Sequence, residues 1–549
     1  MNPLWVGNVI SVIGGKIEVA LRDDIKDMYL NYNGSLYYIG QIGSYVVIPV
    51  AYEKIVGIVS QIRLEDIGFK KEALTGKDVD IKQRKVMYVQ LVGKISEKRF
   101  ERGVGTYTLI GDEVLLASDD DFQAIFSTKK EDNTFVIGKF SQNERFDVKV
   151  DVDEFFTKHI AVLGTTGAGK SCTIAKIVEE ILKFKDTHIV LLDLHGEYLN
   201  NFKEKSVVIT GDDLELPYWL LNFEELQDIC IDRREQSAHN QVIIFKEAIL
   251  NAKRNSINKD LSDLASTFTI DTPVYFDINE VVASIKEKNE EMVTGSSGKD
   301  KQGPFYGQFT RFLTRLESKI NDQRYSFMFK PKIYTESHKL EDLMRKILGR
   351  VKNNYRNITI FDLSGIPFEI RDVVVSLLSR LIFEFNFWNK DRGKSPLLVI
   401  YEEAHNYIPR NYNTSAKVSV ERIAKEGRKY GVSLMVVSQR PAELSETVLS
   451  QCNSYINLRI TNPDDQNYIK GLVSDQNAEL MDMLPDLRRG EALVIGEGIV
   501  MPMRVIITLP NDTPRSADMQ FYKYWNDGIK DLDVKSIIDR WWKQAKAID

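Results

Sequence analysis

The stretch Gly164-Thr165-Thr166-Gly167-Ala168-Gly169-Lys170-Ser171 is built from residue types that can hold a triphosphate. Its glycines let backbone N–H groups turn inward around phosphate oxygens, Lys170 brings a cation to the β and γ phosphates, and the Ser171 hydroxyl suits Mg²⁺. The apolar run Ile160-Ala161-Val162-Leu163 precedes it, and the helical pattern Ile174-Ala175-Lys176-Ile177-Val178 follows, with Cys172 in the first turn. Strand, loop and helix in that order aim the positive end of the helix at the ligand. Gly164 to Cys172 is therefore the expected nucleotide-binding segment, with ATP and Mg²⁺ as cofactors. A guanine-specific loop would carry Asn-Lys-x-Asp. Asn258-Lys259-Asp260-Leu261 and Asn389-Lys390-Asp391-Arg392 both lack the final acid, which points to adenine.

Two adjacent acids, Glu402 and Glu403, end the apolar run Pro396-Leu397-Leu398-Val399-Ile400-Tyr401 and are followed by Ala404-His405. At the end of a strand beside a phosphate loop, the first acid would hold the Mg²⁺ shell and the second would orient or deprotonate the attacking water. Neighbouring buried carboxylates repel and resist desolvation unless a cation or a shared proton offsets them, so packing alone is a poor reason for the pair. Asp193 ends another apolar run, ahead of Leu194-His195-Gly196-Glu197-Tyr198, and is a third catalytic candidate; His195 reads equally well as a surface histidine. Gln439, in Ser438-Gln439-Arg440-Pro441, falls where a γ-phosphate sensor would sit. Arg428, in Glu426-Gly427-Arg428-Lys429-Tyr430-Gly431, falls at the other end of the same strand. There it is out of reach of its own nucleotide and within reach of a neighbour's, which suggests a ring.

These residues need a large scaffold. At 549 residues, 43% hydrophobic and 28% charged, the chain reads as ordinary globular material in two to four domains. No secretory leader follows Met1-Asn2-Pro3 and no apolar stretch approaches the ~18 residues of a membrane helix, so a soluble cytoplasmic protein without a membrane segment is expected. Cys172, Cys230 and Cys452 lack CxxC spacing and the histidines are scattered, against a disulfide framework or zinc site. With a net charge of -6, any nucleic acid would have to be held by a local basic surface.

Residues 1–134 read as short glycine-punctuated strands, a small β-barrel, with Gly40-Gln41-Ile42-Gly43-Ser44 as one of its turns. Residues 135–515 alternate strand and helix. Four near-continuous apolar runs, at 187–193, 357–362, 396–401 and 431–437, predict parallel strands buried on both faces, hence an α/β sheet with its ligand at the carboxyl ends. The segment from about 215 to 350 reads as a helical insertion, broken by the glycine-rich loop at 293–303. Within it, Phe305, Phe309, Phe312, Leu313, Leu316 and Ile320 form an apolar face; Arg311, Arg315 and Lys319 form a basic stripe that reads as a phosphate contact or as a solvated face. Arg410, Lys299 and Lys301 are loop cations that could touch phosphates or simply be solvated. The tail, 516–549, carries Phe521, Tyr522, Tyr524, Trp525, Trp541 and Trp542, and should pack on its own domain or on a neighbour.

The phosphate loop, the Asp193 to Tyr198 block, Glu402-Glu403-Ala404-His405, the Gly427 to Gly431 block and Ser438-Gln439-Arg440-Pro441, behind an N-terminal barrel, resemble the HerA ATPases of the HerA/FtsK group over about residues 1–515. The resemblance implies a RecA-like core, a HAS-barrel-like N-terminal domain, and a homohexameric translocase or helicase with double-stranded DNA in its central channel. In it, Lys170 and Ser171 match the phosphate and magnesium residues, Glu403 the catalytic acid, Gln439 the sensor and Arg428 the arginine finger. It also implies a partner docking on the barrel, a nuclease or, as in relatives similar to antiviral defence pairs, an NAD-consuming effector. Two positions depart from the family pattern. Glu402 replaces the usual Asp, moving the carboxylate by about one bond, ~1.5 Å, and Lys158 replaces an Arg, keeping charge but losing the bidentate fork. The alternative function is an ATP-binding ring that assembles and switches a partner effector, with little translocation of its own. A small-molecule P-loop kinase would leave the barrel unexplained.

Overall fold

The computed structural model describes residues 2–25, 28–32, 35–67, 82–127, 131–202, 204–211, 213–232, 235, 237–294, 300–351, 354–515, 521–527 and 532–543. They fall into two compact units. The first comprises residues 1–186, 403–411 and 424–514, and the second 187–402, 412–423 and 515–549.

In the first unit, alternation of apolar and polar residues shapes the opening strands: Ile17, Val19 and Leu21 are buried while their neighbours are not. Six strands, β1 (Trp5–Ile13), β2 (Lys16–Leu21), β3 (Tyr45–Val50), β4 (Glu53–Ile67), β5 (Lys82–Ser96) and β6 (Glu113–Leu116), pair in the order β2-β1-β6-β3-β4-β5. Antiparallel pairing of β2 with β5, from Lys16↔Gln90 to Ala20↔Val86, closes the barrel. Closure removes the exposed edges an open sheet of this size would carry. The expected turn at 40–44 has Gly43 at φ +83°, and Gln142 Nε2 donates to its carbonyl at 2.6 Å. A Cβ at Gly43 would meet the Arg504 and Met483 side chains at 3.3 Å, so backbone geometry and close approach account for the glycine.

Past the barrel the strands run, in chain order, β7 (Thr134–Phe140), β8 (Asp147–Asp151) and β9 (Ile160–Leu163) in the first unit. Then come β10 (Ile189–Asp193), β11 (Ser206–Ile209), β12 (Ile358–Asp362) and β13 (Leu397–Tyr401) in the second. The chain returns to the first with β14 (Val432–Ser438), β15 (Ser454–Asn457), β16 (Glu491–Ile495) and β17 (Met503–Ile507). The order in the first unit is β8-β7-β17-β16-β15-β9-β14, in which β9 lies parallel to both β14 and β15. Beyond β15 the pairing is antiparallel. In the second unit β13-β10-β12-β11 are all parallel, and β10 and β13 are buried along their whole length, as strands covered on both faces should be.

The insertion in the second unit is helical, with helices at Phe223–Cys230, Ala238–Asp260, Ile278–Asn289, Thr310–Asn321 and Lys339–Ile347. Phe309, Phe312, Leu313 and Leu316 are buried, while Phe305 is exposed. The Arg380 guanidinium, on the helix Phe368–Trp388, pairs with the buried Glu225 carboxylate at 2.8 Å and 3.2 Å and ties the insertion to that helix. Met292–Thr294 and Asp300–Gln302 pair as a hairpin; residues 295–299, including Lys299, lie outside the described residues. Cys230 and Cys452 are buried and Cys172 is half-buried. In the tail helices Phe521–Asn526 and Val534–Lys543, Phe521, Tyr522, Trp525, Trp541 and Trp542 are exposed among the described residues.

Candidate functional site

Strand β9 ends at Leu163, and the loop that follows is held by backbone bonds to the strands on either side. Gly164 N donates to Ser438 O at 3.2 Å, and Thr165 donates through both N and Oγ1 to Arg459 O at 2.9 Å and 3.0 Å. Gly169 adopts φ +110°, a conformation L side chains rarely take, and caps the helix Lys170–Ile181 without a side-chain bond. No acid occupies the first turn. The N–H groups that open this helix thus remain directed at a site that favours an anion. From behind, Gly490 N donates to Ala168 O at 3.0 Å. The Lys170 ammonium is folded back, 3.3 Å from Thr165 O and 4.0 Å from Glu403 Oε1.

Glu403 holds φ +43° and ψ +47°, a left-handed conformation that costs an ordinary residue roughly 1–2 kcal/mol. Its side chain is buried, and Oε2 makes no hydrogen bond within the protein. His405 Nδ1 stands 3.4 Å from that oxygen and 3.2 Å from Ser438 Oγ, and burial holds the imidazole below its ordinary range. Gln439 Oε1 accepts a hydrogen bond from Thr166 Oγ1, linking the end of β14 to the phosphate loop. One unit therefore brings together Lys170, Glu403 and Gln439. It does not bring Arg428 to them: Arg428 is exposed in the turn Gly427–Tyr430 before β14, whereas the loop follows the far end of parallel β9. Lys158, at the same end as Arg428, is ion-paired with Glu497.

In the second unit, the fully buried Asp193 carboxylate organises the turn after β10. Its Oδ1 accepts from the N–H groups of His195, Gly196 and Glu197 at 3.3, 2.8 and 3.1 Å, and Oδ2 from Tyr198 at 3.0 Å. Burial pushes the Asp193 carboxyl above its ordinary range, against the pull of a hydrogen bond with Glu402 and of these N–H groups. Glu402 Oε2 also accepts from Leu194 N at 3.1 Å. His195 is exposed.

Arg410 lies 4.4 Å over the Tyr468 ring and 3.5 Å from Glu446, while Lys301 is exposed on its hairpin. In the basic stripe, Arg315 pairs with Glu235 and Lys319 covers Tyr325, leaving Arg311 as its exposed member. Sequence reasoning gave no role to His405 and overlooked Asn457. Asn457 is fully buried beside Leu163 on β15, with neither amide atom hydrogen-bonded. A lone amide in the apolar run Tyr455-Ile456-Asn457-Leu458 was the available signal.

The uncapped helix start, the left-handed glycine and the unbonded Glu403 oxygen fit a nucleotide carrying Mg²⁺. Among the described residues no three His, Cys, Asp or Glu groups converge on one point. A Mg²⁺ held by one or two protein groups, with the remaining oxygens from phosphate and water, matches that donor set.

The profile described as "Helicase HerA, central domain" matches residues 135–382, and "Helicase HerA-like C-terminal" matches 369–515. The "DNA double-strand break repair helicase HerA" of Pyrococcus furiosus is 28% identical over 461 residues, 79% of this chain and 78% of that protein. Its namesake from Sulfolobus acidocaldarius is 26% identical over 520 residues, 91% of this chain and 95% of that protein. Among solved structures, VirB4 of Thermoanaerobacter pseudethanolicus aligns with 70% of this chain and 98% of its own at 16% identity and a TM-score of 0.48.

Proposed function

The chain belongs to the HerA helicase family, and from that premise we propose that it is an ATP-hydrolysing motor that assembles as a homohexamer around double-stranded DNA. The observation that carries this reading is the convergence of Lys170, Gln439 and a conformationally strained Glu403 whose buried Oε2 makes no hydrogen bond. Bound ATP with Mg²⁺ supplies the phosphoanhydride to be broken and the charge that neutralises its leaving group. Lys170 would turn from Thr165 O to the β and γ phosphates; Ser171 and Glu402 would hold the metal, and the segment from Gly164 to Cys172 would cradle the phosphates. Glu403 takes the proton of the attacking water, with neutral His405 beside it. Gln439 reports the γ phosphate to the loop through Thr166. Asp193 shapes the turn beside Glu402 and so acts by positioning. Arg428 completes the site of an adjacent subunit, stabilising charge that develops on the transferred phosphoryl group.

The proposed division is a barrel at 1–134, a RecA-like ATPase at 135–515 with the insertion at about 215–350, and a tail at 516–549. Tyr107, Leu109 and Ile110, exposed together near the barrel, support docking of a nuclease or NAD-consuming effector there. The working site is the cytoplasm; no helix among the described residues is long and apolar enough to cross a membrane. Steady-state ATPase measured with and without duplex DNA tests the motor. DNA should stimulate the rate and Lys170→Ala should abolish it, whereas DNA-independent hydrolysis would overturn the reading. Light scattering with ATP, Mg²⁺ and DNA should give six subunits; a monomer under those conditions overturns the ring.

A further inference from the structure

We infer that His159 is a positioning residue for Arg428: its imidazole fastens the residue before the phosphate-loop strand to the end of the helix that delivers the arginine. The inference rests on the reading of Arg428 as a residue that acts in a neighbouring subunit's site.

His159 is 3% exposed and holds φ +52°, the left-handed region that only a well-supported non-glycine residue keeps. Leu434 N donates to its Nδ1 at 3.1 Å. A backbone N–H can only donate, so Nδ1 is the acceptor and the ring proton resides on Nε2, which donates to Ala424 O at 3.0 Å. Burial lowers the imidazole to about 4, so the ring is neutral at ordinary pH and the tautomer does not alternate. Asn453 N donates to the carbonyls of both Lys158 and His159, at 2.9 Å and 3.2 Å, and fixes the backbone that carries the ring.

The acceptor matters. Ala424 lies four residues before Arg428, so its carbonyl is the one that another α-helical turn would offer to the Arg428 N–H. The helix Ser415–Glu426 ends two residues past that carbonyl, and the chain tightens into the turn Gly427–Tyr430, closed by Gly431 at φ +71°. Arg428 projects from this turn, exposed. Leu434, the other partner, sits in β14, whose far end carries Ser438 and Gln439. One ring thus joins the strand that leads to the phosphate loop, the helix end that runs into the arginine's turn, and the strand that leads to the sensor. Any buried imidazole must satisfy both nitrogens; what distinguishes this one is that its partners lie on these elements.

Two substitutions separate the bonds. His159→Asn places an amide at the depth of Nδ1, tolerates the left-handed backbone, keeps the Leu434 bond and cannot reach Ala424 O. His159→Gln reaches the Nε2 position and keeps the Ala424 bond. In His159→Asn, fluorescent-nucleotide titration should give wild-type ATP affinity while kcat falls on the order of 10²-fold, the loss expected for a reacting group misplaced by ~1 Å. His159→Gln should recover most of that turnover. Mixed assemblies show in which subunit the ring acts. His159→Asn subunits bring an intact phosphate loop and Lys170→Ala subunits bring a correctly presented Arg428, so their mixture should regain activity, as should Arg428→Ala mixed with Lys170→Ala.

If the Arg428→Ala mixture recovers and the His159→Asn mixture does not, His159 serves its own phosphate loop and the assignment is overturned alone. If both mixtures stay silent, the reading of Arg428 falls and takes the assignment with it. Wild-type kcat in His159→Asn, or ATP affinity lost in parallel with kcat, also overturns it.

Discussion

Glu402 and Glu403 are joined by one peptide bond, yet their carboxylates live in opposite circumstances. Glu402 is bonded into a network with Leu194 N and Asp193, the latter already accepting four backbone N–H groups. Glu403 sits on strained backbone with one buried oxygen unbonded and a neutral histidine alongside. The first cluster has its hydrogen bonds made before any ligand arrives; the second is left incomplete. Asp193, bonded to four N–H groups, is suited to fixing the turn beside Glu402, and an acid with an open oxygen is suited to taking a proton. The left-handed φ at Glu403 is what turns two consecutive side chains to different partners.

The contrast can be broken experimentally. Its catalytic side should yield the largest effects: Arg428→Ala should lower kcat by roughly 10³-fold or more with ATP still bound, the scale of an arginine finger. Glu403→Gln should follow at about 10²–10⁴-fold, the range of a general base, again with ATP retained. A phosphate-release assay checks both, and wild-type turnover in Glu403→Gln would erase the distinction between the acids. On the bonded side the loss should be in stability. Asp193→Ala strips the acceptor from four N–H groups, so a drop of about 2–4 kcal/mol in denaturant unfolding is expected, the scale of a broken buried network. Its control in the second unit is Arg380→Leu, which strands the buried Glu225 carboxylate and should cost about 3–5 kcal/mol without involving the phosphate loop.

Acid gives a smaller, graded test. His159 titrates near 4 in the folded chain against an ordinary 6.5, so between these values the unfolded chain binds more protons. Its contribution is intact above pH 6.5, falls as pH drops toward 4 and levels off below, amounting to about 3 kcal/mol. Wild type should lose this increment relative to His159→Gln across that window, measured by urea midpoints at each pH. The smallest expected effect concerns DNA. Arg410 already holds Tyr468 and Glu446, and Arg410→Gln should reduce the salt slope of duplex binding by about one. An unchanged slope would move the DNA contact to Lys301 or Arg311.

The sequence alone established whatever depends on neighbours in the chain. The phosphate loop, the apolar strands β9, β10, β12, β13 and β14, the acids at the end of β13 and the opposite placement of Arg428 and Gln439 about β14 all follow from local pattern, because period and spacing are local properties. The barrel was legible from its short glycine-punctuated strands, but the closing pair β2 and β5 was not, since strand register is settled between segments distant in sequence. Strands β15, β16 and β17 went unread because Ser454-Tyr455-Ile456-Asn457, Glu491-Ala492-Leu493-Val494-Ile495 and Met503-Arg504-Val505-Ile506-Ile507 mix polar with apolar residues over four or five positions, too short a span to fix a period. Only the tertiary structure joined Thr166 to Gln439 across 273 positions, put His405 against Glu403, and spent both nitrogens of His159 on Ala424 and Leu434. Those contacts form where a buried polar group must find a partner, and which partner lies within reach is decided by packing rather than by order along the chain.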